Sequence, residues 1–139
     1  MNQRLRDIFD RQVEWVLTRL PRPILRVLGE VPLHVEDRPS KQLMRELKIG
    51  DAEELCGYFC GVPYTEGGRY FETNVYIAPG IQMSNSITIF RRGIVAESRD
   101  EWGKVSRKSL RQQIRITILH ELAHLHGMSE EEITAIGYG

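Results

Sequence analysis

From about Ser106 to His126 the chain reads as one long helix, and its apolar pattern limits what the rest can be. Leu110, Ile114, Ile118, Leu122 and Leu125 form one apolar stripe at helical spacing, and Ile116, Leu119 and Ala123 form a second. A helix apolar on two stripes is mostly buried, so the remaining chain has to wrap around it. Between the stripes runs a polar strip of Gln113, Thr117, His120, Glu121 and His124, and a cleft is expected there. Gly127 is expected to stop the helix in a left-handed conformation.

The other elements supply that wrapping. Leu5, Ile8, Phe9, Val13, Val16, Leu17 and Leu20 recur at three- and four-residue steps, which predicts an amphipathic helix ended by Pro21 and Pro23. Val31 to Val35 reads as a short strand, followed by a helical stretch around Ser40 to Leu47. Between Leu55 and Gly80 the text is rich in Gly, Tyr and Phe and predicts short strands and loops, one of them through Asn74 to Ile77. Ser86 to Phe90 alternates β-branched and polar residues before Arg91, Arg92 and Gly93, as a half-buried or edge strand does. A short final helix is expected after Gly127, because Ser129 and Glu132 have the spacing of a capping box. With 139 residues and no repeat or linker, residues 1–139 are expected to form a single domain.

Charge narrows the partners. Nineteen basic and nineteen acidic residues cancel, so no nucleic acid recognised by bulk charge is expected, and Arg111 and Arg115 read as a solvated helix face. No apolar run is long enough to span a membrane, and the amino terminus lacks the apolar core of a signal peptide, so no membrane partner and a cytoplasmic location are expected. Cys56 and Cys60 have neither redox nor zinc-ribbon spacing and read as reduced, partly buried thiols. Oligomeric state is not encoded in any of these features.

The polar strip carries the chemistry. Positions four apart on a helix differ by only about 40° and about 6 Å of rise, so His120 and His124 can aim ring nitrogens at one ion. Glu121 lies beside them, where a carboxylate serves as general base without being a ligand. His126 projects about 160° away from His124 and reads as structural or surface. Catalytic zinc takes three protein ligands, and Glu130 is the first suitable donor once Gly127 turns the chain back. Its neighbour Glu131 competes for that role, and Glu130 is also accounted for as an acid in the first turn behind the Ser129 cap.

His120-Glu121-Leu122-Ala123-His124, then Gly127 and Glu130, resemble the signature HExxHxxGxx(D/E) of the small bacterial minimal zincin-like metallopeptidases. Leu55 to Gly61 is similar to that family's glycine-flanked strand, Ile87 to Arg92 to its edge strand, and Gly137-Tyr138-Gly139 to its ending. The resemblance implies an α+β zincin-like fold, with a small mixed or antiparallel sheet packed on the amino-terminal helix and the long site helix. It also implies one zinc on His120, His124 and Glu130, Glu121 as base, and a peptide or protein substrate. Glu130 departs from the commoner Asp by one methylene. Substrates of zincins pair with an edge strand, which here implies Ile87, Thr88 and Ile89 as substrate-binding residues. Tyr138, Tyr58 and His34 are candidate oxyanion donors. Two other classes fit part of this pattern. A metal-dependent ribonuclease spaces three ligands similarly but prefers a third histidine and a basic chain, and a non-catalytic zinc-binding or regulatory module would keep the scaffold alone.

Overall fold

The computed structural model of the protein describes residues 1–61, 85–127 and 129–135, and only the backbone of 130, 133 and 134. In chain order the elements are helix α1 (Gln3–Leu17), helix α2 (Arg22–Glu30), strand β1 (Leu33–Glu36), helix α3 (Lys41–Leu47), a single 3-10 turn (Ala52–Glu54), strand β2 (Gly57–Cys60), strand β3 (Ser86–Phe90), and helices α4 (Arg91–Glu97), α5 (Arg107–Leu125) and α6 (Glu130–Ala135). The architecture is α+β, as the sequence implied. The expected strand at Asn74 to Ile77 lies outside the described residues, as does the Gly137-Tyr138-Gly139 ending.

Helix α5 is the centre of the packing. Ser106 opens it with a reciprocal cap: its hydroxyl accepts from the Ser109 amide at 3.0 Å, and Ser109 Oγ accepts from the Ser106 amide at 3.1 Å. Gly127 closes it at φ 76°, the left-handed stop read from the sequence. Its first stripe is buried throughout, with Leu110, Ile114, Ile118, Leu122 and Leu125 between 0% and 5% exposed. Against that stripe pack Phe9, Val13 and Val16 of α1 and Ile87 and Ile89 of β3. Each such side chain contributes about 1.5–3 kcal/mol through burial, so the α1–α5–β3 sandwich carries the stability of the fold.

Two expectations are corrected, and one helix is found that the sequence did not announce. Pro21 and Pro23 do not merely end a helix. Helix α1 stops at Leu17, and Pro21 and Pro23 flank the start of a second helix, α2, where a missing amide costs nothing. Helix α4 follows β3 directly, without any side-chain cap at Phe90. Most important for function, β3 is not an edge strand: the sheet order is β1-β3-β2, with β1 parallel and β2 antiparallel to it. Ile87, Thr88 and Ile89 are paired on both sides, to Leu33, His34 and Val35 and to Phe59, Tyr58 and Gly57. They therefore present no free ladder to a peptide, and Ile87 and Ile89 are fully buried.

A cluster of ion pairs pins α1 to the sheet ends. Asp37, just past β1, accepts from Arg6 of α1 at 2.6 Å and from Arg91 of α4 at 2.9 Å, while Arg91 also donates to Asp10. Among the described residues, no helix is long and apolar enough to cross a membrane. Helix α6 carries the expected capping box, with the Glu132 amide donating to Ser129 Oγ and the Ser129 hydroxyl donating to Glu132 Oε1.

Candidate metal centre

The site is built where α5 crosses β2. Strand β2 approaches the helix closely because residue 57 is glycine: a Cβ there would lie 2.8 Å from Thr117 Cγ2 and 3.1 Å from Glu121 Cγ. Thr117 is buried and its hydroxyl donates back to the Gln113 carbonyl at 2.8 Å, so the helix wall facing β2 is fixed. One turn further along, His120 and His124 are half-buried and Glu121 is 6% exposed.

The two imidazoles meet edge to face, with ring centroids 4.8 Å apart and planes at 67°. Their Nε2 atoms stand 3.1 Å apart. Two zinc–nitrogen bonds of about 2.0–2.1 Å opened at the tetrahedral angle separate their nitrogens by about 3.3 Å. The observed spacing is close to that separation, and it is also that of a hydrogen bond between the two rings. Donor atoms of His120, Glu121 and His124 all lie within 4.8 Å of one another, and these three residues form a group able to hold a metal. Glu121 thus sits within reach of such an ion. Two imidazole nitrogens with a carboxylate close by suit zinc, whether that carboxylate serves as ligand or as base.

Of the other expected participants, Glu130 begins α6, and its side chain lies outside the described residues. Glu131 is exposed. His126 caps α5 and is exposed, as its projection required. His34 is exposed on β1, separated from β2 by β3, and lines neither cavity at the site. Tyr138 lies outside the described residues. Tyr58 does reach the site.

Two cavities border Gly57, and both touch His120 and Glu121. One, of about 320 Å³, is lined further by Leu47, Tyr58, Phe59 and His124. Burial pushes the Tyr58 phenol above its ordinary pKa, and the charges of Cys60, Glu46 and Glu121 act in the same direction, so it remains a hydrogen-bond donor. The other, of about 410 Å³, is lined by Glu54, Cys56, Glu97 and Gln113 among others. There burial, reinforced by the charges of Glu97 and Glu121, pushes the Cys56 thiol up to about 11. The role of Gly57 is what reading by residue type passed over. A glycine inside a strand signals close backbone approach, but nothing local says which helix approaches.

A zincin-like metallopeptidase family model matches residues 28–139, and the chain belongs to that family. No curated protein matches it. Membership makes the fold zincin-like and makes a zinc-dependent peptidase the activity class that the family suggests.

Proposed function

We propose that the protein is a zinc metallopeptidase in which His120 and His124 hold the metal through Nε2, Glu130 supplies the third ligand and Glu121 is the general base. The observation that carries this reading is the 3.1 Å Nε2 pair with the Glu121 carboxylate beside it. When bound, zinc would supply Lewis acidity toward the scissile carbonyl and toward a water. Glu121 takes the proton from that water and delivers it to the departing amine nitrogen, and its burial keeps the transfer away from bulk solvent. Tyr58, which lines the same cavity as His120, Glu121 and His124, is the candidate donor to the oxygen that becomes anionic during attack.

The peptide runs along β2 rather than β3. Among the described residues β2 pairs on one side only, and its residues Gly57, Tyr58 and Phe59 line the cleft with His120 and Glu121. An extended substrate adding to that edge would place its backbone beside the base.

Elemental analysis of the purified protein tests the centre. The expected result is about one zinc per chain, kept in Glu121→Gln, lost in His124→Ala, and weakened in Glu130→Ala. A peptide-library digest should then show cleavage by wild type and none by Glu121→Gln. Wild-type protein that takes up no zinc when supplied with it would remove the proposal.

A further inference from the structure

On the face of α5 turned away from the metal centre lies a second feature that the peptidase reading leaves unused. Lys108, Arg111, Gln112 and Arg115 fall at steps of three and four residues and so share one face. At 100° per residue that face is nearly opposite the one carrying His120, Glu121 and His124. Together with Trp15, Val16 and Arg19 of α1 they line a cavity of about 400 Å³. Its lining holds four cations and no acid.

The cations are organised. The guanidinium carbons of Arg19 and Arg111 lie 3.9 and 4.0 Å from the centroid of the Trp15 ring. Arg111 Nε also donates to the buried Gln12 Oε1 at 2.7 Å, and Arg19 Nη1 donates to the Trp15 carbonyl at 3.1 Å. Two arginines are therefore held in place before any ligand arrives, which lowers the entropy lost on binding. Lys108 and Arg115 complete the rim and are exposed, while Trp15 and Val16 give the cavity an apolar floor.

We infer that the groove between α1 and α5 is a docking site for an acidic protein segment carrying an apolar side chain, its carboxylates on Arg19, Lys108, Arg111 and Arg115 and its apolar group on the apolar floor of the cavity. Charge complementarity selects an anionic partner, and arginine forks match carboxylates in bidentate geometry. A single-stranded nucleic acid fits less well. Bases need an open aromatic face to stack on, and here guanidinium groups already lie over the indole. The chain's zero formal charge also removes the long-range field on which phosphate-backbone binding depends.

The test is fluorescence anisotropy with a labelled peptide of glutamates bearing one central leucine, beside an all-glutamate peptide and a labelled mixed-sequence single-stranded DNA. The leucine-bearing peptide should bind most tightly. Lys108→Gln combined with Arg115→Gln, both exposed and remote from the core, should weaken it at least about tenfold. Zinc content and thermal midpoint should be unchanged in that variant, which separates this site from the metal centre. Binding equal in wild type and the double variant, no peptide binding, or tighter binding of the DNA would each overturn the inference. So would self-association of the free protein that the same double variant abolishes, since that would assign the groove to a second copy of the chain.

Discussion

Gly57 and Glu121 touch across the seam between β2 and α5, so closely that a methyl group on residue 57 would stand 3.1 Å from Cγ of the proposed base. Thr117 is closer still at 2.8 Å and cannot rotate away without giving up its bond to the Gln113 carbonyl. Gly57→Ala therefore has to move Glu121 or part the strand from the helix. The expected cost is about 1–3 kcal/mol of stability from overpacking. Since the atoms nearest to such a methyl group belong to Thr117 and Glu121 rather than to either histidine, zinc should be retained. Turnover should fall by on the order of 100-fold if the carboxylate moves by about 1 Å. A variant with wild-type turnover would show that the close approach does not position the base.

Gly93 shows the same need without the chemistry. A Cβ there would lie 2.0 Å from the Leu55 carbonyl oxygen and 2.6 Å from its carbon, and a backbone cannot yield as a flexible side chain can. Leu55 leads into β2, so α4 is docked directly against the strand that lines the cleft. Gly93→Ala should lose roughly 3 kcal/mol or more, visible as a marked drop in thermal midpoint or as insoluble protein. Gly29→Ala, where nothing lies within 4 Å, is the matched control and should change little.

What could be read from residues alone follows from the range of the interactions. His120, Glu121 and His124 lie on one helix, so helical geometry alone brings them together, and Ser106, Gly127 and Ser129 mark boundaries through hydrogen bonds no more than a few residues long. Whether Ser86 to Phe90 lies at an edge depends on Leu33–Glu36 and Gly57–Cys60, far away in sequence, and its alternating pattern fits either place. Helix α2 was obscured because a proline that ends one helix also starts the next, and α4 because it has no cap to announce it. The role of Gly57 needed the tertiary crossing itself.

Acid stability should report the Asp37 cluster. The Arg6 hydrogen bond, opposed in part by desolvation and reinforced by Arg91, holds the Asp37 carboxyl below its ordinary pKa. Folding thus favours the charged form. Its contribution is fully present above the unfolded value of about 3.9 and is lost as pH falls through the lower folded value. The difference in urea midpoint between wild type and Asp37→Asn should be constant from pH 7 to about 5 and shrink toward pH 3. A difference that persists or grows on acidification would mean that Asp37 stabilises the fold by something other than its charge.

Cys56 offers a probe of the metal centre that requires no substrate. Burial first, then the negative charges of Glu97 and Glu121, raise its thiol to about 11, against an opposing hydrogen bond with Gln113. At pH 8 such a thiol holds about two orders of magnitude less thiolate than a free cysteine of pKa about 8.5, and thiolate is what alkylating reagents attack. Cys60 is exposed at the end of β2. One equivalent of iodoacetamide should therefore modify Cys60 and leave Cys56 almost untouched, as peptide mass mapping would show. Glu121→Gln removes one of the charges that suppress ionisation of Cys56, so Cys56 should react faster in that variant while Cys60 keeps its rate. Equal Cys56 rates in the two proteins would show that the Glu121 charge does not act on the thiol.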